Sequence, residues 1–310
     1  MEDTLTIVPL LAEAGLDMIH LSCGVYASMR RYIPSQATGP AMLANFAEAV
    51  KKVTCLPVIT VDRHNDIFVA NQVVAAGRAD LVAMGRQSLA DPAAAAKARS
   101  GRFEDIRQGI ACNVGCLNSL MMNDSVTCAL NPTLGREYLQ PPTPAAKPKT
   151  LAVVGGGPGG LQAAITAAEY GHQVTLFEKT GRLGGQFRLA AMPPAKGELA
   201  AFINWQTNQV IKLGVDLRLN HEAEVDDLRP FEAIILAPGA NSIIPALGRQ
   251  RTGGDPGQRC SGRRSFTGHR VVIIGGGQVG AETADYWGIL GRLVAMVEML
   301  PEIAAGEVRR

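Results

Sequence analysis

The sequence lacks an excess of charge of either sign. Lys and Arg number 30 against 28 Asp and Glu, for a formal charge of +2, so no broad field draws the chain to nucleic acid or to an anionic membrane. Any phosphate binding has to come from local loops. No uninterrupted apolar run approaches the ~20 residues of a membrane span, and no apolar segment behind basic residues opens the chain, so a cytoplasmic protein is expected. A disulfide framework is also missing: Cys23, Cys55, Cys112, Cys116, Cys128 and Cys260 are few and scattered for 310 residues. Three of them crowd into 112–128, where metal binding or core packing is the expected use. What the chain does have is 47% hydrophobic residues and length for about two domains of ~150 residues.

The first hundred residues alternate alanine-rich helical runs with short β-branched ones. "DMIHLSC" (17–23), "LPVITVD" (56–62) and "ADLVAMG" (79–85) read as buried parallel strands, each preceded by a helix-like stretch. Repeated α-then-β units build either an eight-fold barrel or an open doubly wound sheet, and three of them do not close a barrel. Residues 140–149, "QPPTPAAKPK", read as a stiff proline-rich linker. Beyond it, strand, glycine turn, helix and strand appear twice, as expected of two nucleotide-binding units. The segment 248–266, rich in glycine and arginine and without apolar periodicity, has no readable structure.

The first glycine turn, Gly155-x-Gly157-x-x-Gly160, follows an apolar strand and opens a helix, and Glu178 ends the next strand. The first glycine permits the tight turn, the second lets backbone amides approach a pyrophosphate, and the third allows close packing; the acid can accept from a ribose hydroxyl. Gly275, Gly277, Gly280 and Glu298 repeat the design. An acid there repels a 2′-phosphate and favours NADH over NADPH, although Arg292 lies nearby in sequence to offset it. In the barrel-like part Gly85 and Arg86 stand at a strand end, where such folds gather phosphate, and Arg63 ends the preceding strand. Asp62 puts an acid beside them. An arginine capping the next helix would look the same in sequence. Tyr26, just past the first strand, is placed to present its phenol above the barrel, or simply to pack with the hydroxyl wet.

With these residues in view the chain resembles the NADH:flavin oxidoreductase family with iron-sulfur clusters, which includes 2,4-dienoyl-CoA reductase, trimethylamine dehydrogenase and enoate reductases. The likeness rests on "GRADLVAMGRQSLADP", "CNVGCL" with "TCALNP" and "GRE", "VVGGGPGGLQAA" with "GRLGGQ", and "VVIIGGGQVGAETA". It implies an α/β fold, with the C-terminal part of a TIM (β/α)8 barrel over 1–104 and an iron-sulfur cysteine segment over 105–139. After the linker it implies incomplete Rossmann-like FAD-binding (150–247) and NAD(P)-binding (248–310) domains.

The cofactors implied are FMN, FAD, a 4Fe-4S cluster and NADH or NADPH, with electrons passing from NAD(P)H through FAD and the cluster to FMN and an activated alkene: an enoyl-CoA, enoate or enone. The resemblance makes Arg86 the FMN phosphate arginine, Tyr26 the occupant of a proton-donating histidine's place, and Cys112, Cys116 and Cys128 cluster ligands. The family's fourth cysteine aligns with Gly109, which has no side chain to offer. The chain is expected to be a fragment of a polypeptide about twice as long. The other reading is a truncated, catalytically incompetent dinucleotide-binding fragment or a partner-dependent electron-transfer module. The partners expected of the chain are a small-molecule alkene substrate and either a second copy or a completing chain, with no nucleic acid and no membrane.

Overall fold

The β-branched runs at the N-terminal end of the chain become strands because branched side chains suit a pleated sheet, and Ile19, Val58 and Thr60 are buried in it. In the computed structural model, which describes residues 1–139, 143–241 and 268–304, β1 (Ile19–Leu21), β2 (Val58–Thr60) and β3 (Leu81–Val82) lie side by side in that order, all parallel. The third strand is shorter than its apolar run, since only Leu81 and Val82 pair with Ile59 and Thr60. Helices α1 (Glu2–Glu13), α2 (Ala44–Lys51) and α3 (Ile67–Ala75) precede the three strands. Asp66 caps α3 by accepting from Phe68 N at 2.7 Å. Val8, Ile19, Ala47, Val50, Val58 and Val73 are buried together as the core between sheet and helices. A short helix α4 (Gly85–Ala90) starts directly after β3.

The chain divides into two compact units, Met1–Gln140 and Pro141–Arg309. In the second, β4 (Thr150–Val154), β5 (Gln173–Glu178), β6 (Asp216–Leu219) and β7 (Ala233–Leu236) form a parallel sheet of order β6-β5-β4-β7. Helix α5 (Pro158–Glu169) crosses from β4 to β5 and buries Leu161, Ala164 and Ile165, and the longer α6 (Gly197–Lys212) packs on it. In the same unit β8 (Arg270–Ile274) and β9 (Leu293–Val297) pair in parallel across α7 (Gln278–Ile289). This pair leaves Val272, Ile274 and Leu293 mostly exposed. Lys196 forms an ion pair with Glu282 of α7 at 2.8 Å. Cys260 and the segment 248–266 lie outside the described residues. No helix among the described residues is long and apolar enough to cross a membrane.

Candidate functional site

The C-terminal ends of β1, β2 and β3 open into a cavity of about 400 Å³. This is the end at which parallel α/β units place ligands, because the loops there are free of the sheet's own hydrogen bonding. Arg63, Gly85 and Arg86 line it, as do Asp62, His64 and Cys116. The backbone after β2 is unusual: Asp62 has φ 108° and Arg63 φ 44°, in the region that favours glycine. Arg63 is buried and donates from Nη1 to Gln36 O at 3.3 Å. Arg86 donates from Nη1 to Pro34 O and to Asn113 Oδ1, both at 2.7 Å. Its guanidinium is thereby held at the cavity from two sides.

Burial and charge act together on these groups. Burial pulls the Arg86 pKa down, while Cys116 and Asp62 nearby push it back up. Burial raises Asp62, opposed by backbone donation from Met42 and by the charges of Arg86 and Arg63. His64 is 3% exposed, neither ring nitrogen has a hydrogen-bond partner, and burial lowers its pKa to about 4. It is therefore neutral at physiological pH. Sequence reasoning missed His64, and only its place at the end of an apolar strand could have flagged it.

The cysteine segment runs beside this cavity. Asn113, at φ 60°, turns the chain after Cys112, and Val114–Asn118 forms one π-helical turn carrying Cys116. Cys112, Cys116 and Cys128 are all half-buried free thiols. Burial raises the Cys112 thiol, and the thiolate charges of Cys116 and Cys128 raise it further, so the three lie within electrostatic reach of one another. Among the described residues no three His, Cys, Asp or Glu side chains converge to cage a single metal ion. A cubane spreads its thiolates over separate irons, so its test is the donor set, and that set is one thiolate short. Gly109, where the resemblance puts the fourth cysteine, has no side chain to offer: its N–H donates to Gln87 Oε1 at 2.7 Å and its carbonyl accepts from Asn65 Nδ2. A complete cluster does not fit these residues.

The first glycine turn of the second unit is shaped by close approaches. Gly155 has φ 107°, and a Cβ there would lie 2.2 Å from Ala237 O; one on Gly160 would lie 1.8 Å from Gly155 O. Gly157, which caps α5, has nothing within 4 Å of its Cβ position, so the helix N-terminus faces open space. That cradle fits a pyrophosphate, which the amides and the helix dipole favour. Glu178 is buried, with Oε2 accepting from Gly156 N at 2.8 Å and Oε1 from Thr180 N and Oγ1, both at 2.8 Å. The acid thus pins the turn with one lone pair, on Oε2, left over for a ribose hydroxyl. The "GRLGGQ" loop closes over the turn, with Gly184 N donating to Gly156 O at 2.7 Å.

The second turn repeats the plan. Gly275 has φ 100°, a Cβ on Gly280 would lie 2.0 Å from Gly275 O, and Gly277 again faces open space. Glu298 accepts from Gly276 N and, at 2.8 Å, from Leu300 N; these backbone donors hold its carboxyl below the usual range. Arg292 Nη1 lies 3.4 Å from His269 Nδ1. Tyr26 begins a short 3-10 turn, Tyr26–Ser28, and its side chain lies outside the described residues.

Comparison with known proteins agrees with this layout. Residues 1–105 match the NADH:flavin oxidoreductase / NADH oxidase family and residues 149–309 the pyridine nucleotide-disulphide oxidoreductases. NADH oxidase of Thermoanaerobacter brockii is 38% identical over 98% of this chain and 48% of its own length. Bilirubin reductase of Mediterraneibacter gnavus is 35% identical over 96% and 47%. The solved 2-naphthoyl-CoA reductase superposes with a TM-score of 0.88 at 30% identity, over 97% of this chain and 46% of that one. The chain spans about half the length of the curated relatives it matches. The three-stranded unit is thus part of a TIM barrel, and the family uses FMN, FAD, a 4Fe-4S cluster and NAD(P)H. The chain belongs to the NADH:flavin oxidoreductase / NADH oxidase family, its barrel part followed by a pyridine nucleotide-disulphide oxidoreductase region.

Proposed function

We propose that this chain serves an NAD(P)H-dependent flavin oxidoreductase that delivers electrons to an activated alkene such as an enoyl-CoA, an enoate or an enone. One observation carries the reading: a single chain joins a strand-end cavity holding two arginines to two glycine turns, each with a pinned acid. The likeness to a reductase of a conjugated acyl-CoA supports the substrate class. Flavin and nicotinamide, when bound, supply the hydride chemistry.

The residues' own work is binding and orientation. Arg86 holds the FMN phosphate beside the Gly85 amide, and Arg63 adds a second positive charge. The Gly155 turn and the N-terminus of α5 take the FAD pyrophosphate, and Glu178 accepts from its ribose. The Gly275 turn and Glu298 do the same for the nicotinamide dinucleotide. With its carboxyl held ionised by two backbone donors, Glu298 disfavours a 2′-phosphate, so NADH is the expected donor. Tyr26 is the proposed proton donor to the reduced substrate, as a phenol at a barrel-strand end. Cys112, Cys116 and Cys128 are the proposed thiolates of a three-cornered cluster site.

Gly109 in the fourth thiolate's place favours a second reading, a dinucleotide-binding electron-transfer module whose route to the barrel is interrupted. Anaerobic addition of NADH to the chain loaded with FAD and FMN separates the two. Bleaching of both flavins, with return of colour on adding cinnamate or an enone, supports the reductase. Bleaching of FAD alone supports the module, and no bleaching sinks both.

A further inference from the structure

We propose that Asp62 is a built-in competitor for phosphate at the barrel-end cavity, so that a phosphorylated ligand binds there together with a proton while its phosphate-free counterpart does not. This rests on the reading that Arg86 holds the phosphate of FMN.

Asp62 is in an unlikely place for an acid. Its backbone, at φ 108°, is one that side chains rarely adopt, and it is 6% exposed. Oδ2 accepts from Met42 N at 3.1 Å, but Oδ1 is buried with no hydrogen-bond partner. An orphaned buried carboxylate oxygen at the wall of a cavity needs a donor, and a phosphate dianion brings none.

Charge decides the outcome. The groups facing Asp62 are Arg63 and His64 on its own strand end, Cys23 after β1, and Arg86 after β3. His64 is neutral well below neutrality and Cys23 is held protonated by burial, so the two arginines are the cations and Asp62 cancels one of them. A dianion entering this set meets a like charge in a place of low polarity. Protonating Asp62, whose pKa burial already raises, removes that charge and gives Oδ1 a hydrogen to donate. The bound complex then holds Asp62 protonated more firmly than the free chain does. The coupled affinity is full at low pH and is lost as pH rises through the Asp62 pKa of the complex. The phosphate's own second ionisation, near about 6, acts in the opposite sense, so substitution of Asp62 is what isolates the effect.

The test uses the full chain, with FAD first saturating the glycine turn. FMN and riboflavin binding are then measured by calorimetry from pH 6 to 8.5, in buffers of different ionisation enthalpy, for the wild type, Asp62→Asn, Asp62→Gly and Arg86→Ala. Asp62→Gly also suits φ 108°, which guards against a folding failure of Asp62→Asn. The expected result is proton uptake with FMN in the wild type only. At the alkaline end both Asp62 variants should bind FMN about ten-fold more tightly or better, the equivalent of one pKa unit. Riboflavin should bind the wild type and both Asp62 variants alike. Equal FMN profiles in wild type and Asp62→Asn overturn the proposal, and so does a gain shared by riboflavin, which would be relief of the backbone rather than of charge. If Arg86→Ala binds FMN as the wild type does, or if no form prefers FMN to riboflavin, the phosphate reading itself fails and takes this proposal with it.

Discussion

Arg86 Nη1 donates to Asn113 Oδ1 at 2.7 Å, tying the arginine that follows the last barrel strand to the residue next to Cys112. One hydrogen bond therefore couples a cation of the cavity to the cysteine turn, beside the second anchor that Pro34 O gives Arg86. Arg86→Ala should weaken FMN by about 1.5–3 kcal/mol, the scale of a charge-assisted hydrogen bond, and leave FAD binding unchanged. Asn113→Ala should retain the charge but loosen its placement, with a smaller loss of about 1 kcal/mol. Flavin titrations read both, and unchanged FMN binding in Arg86→Ala would return that side chain to a helix-start role.

The cradle at α5 predicts a sharp contrast between two substitutions. Gly160→Ala places a Cβ where Gly155 O stands 1.8 Å away, so the turn must move and the fold should lose about 1–3 kcal/mol. Gly157→Asp puts its Cβ where nothing lies within 4 Å, so stability should hold while its carboxylate repels the pyrophosphate and FAD retention falls. Denaturant melts and flavin content after gel filtration measure the two effects. Equal FAD binding by Gly157→Asp and wild type would remove the FAD assignment.

His64 predicts an acid limb to stability. Its pKa falls from 6.5 to about 4 on folding, so its neutral state is fully compatible with the fold above the unfolded value, and stability is lost as pH drops from 6.5 towards 4. The loss attributable to this residue is on the order of 3 kcal/mol at full protonation. His64→Phe should flatten that limb relative to wild type in urea melts at pH 7 and 4.5. Parallel pH profiles would show that His64 finds a partner when charged.

Gly109 offers a direct test of the missing thiolate. A Cβ there meets Gln87 Oε1 at 3.4 Å and Ala90 Cβ at 3.6 Å, ordinary contacts, so the backbone accepts a side chain at this position. Gly109→Cys should raise iron and sulfide retained after anaerobic reconstitution, with Cys112→Ala as the baseline. Iron no higher in Gly109→Cys than in that baseline would mark the three thiols as structural.

The helices and strands were legible where composition and period agreed. "LPVITVD" holds Val58–Thr60 because β-branched residues suit a pleated, largely buried surface. The glycine turns were legible because each glycine answers a local demand of backbone. The cavity's inner construction was not. Arg86–Asn113 and Gly109–Gln87 join residues 27 and 22 apart through side chains, and spacing does not encode such meetings. Asp62 shows the same limit from the other side: its φ of 108° is a glycine's conformation in a residue whose identity gives no sign of it.

The exposed apolar strands of the second glycine turn imply a hierarchy of opening within the C-terminal unit. β4 is hydrogen-bonded on both flanks, by β5 and β7, whereas among the described residues β8 and β9 pair only with each other, with Ile274 79% and Leu293 68% exposed. Amides whose protection depends on a two-stranded ribbon exchange through small local excursions, and those of a flanked central strand wait for cooperative unfolding. In deuterium the amides of Val271–Ile274 should therefore fill well before those of Leu151–Val154, and a protease should enter the chain near β8 first. The two dinucleotide turns share one design in sequence but sit on ground of unequal firmness, and a ligand at the second would have to supply order that the first already possesses.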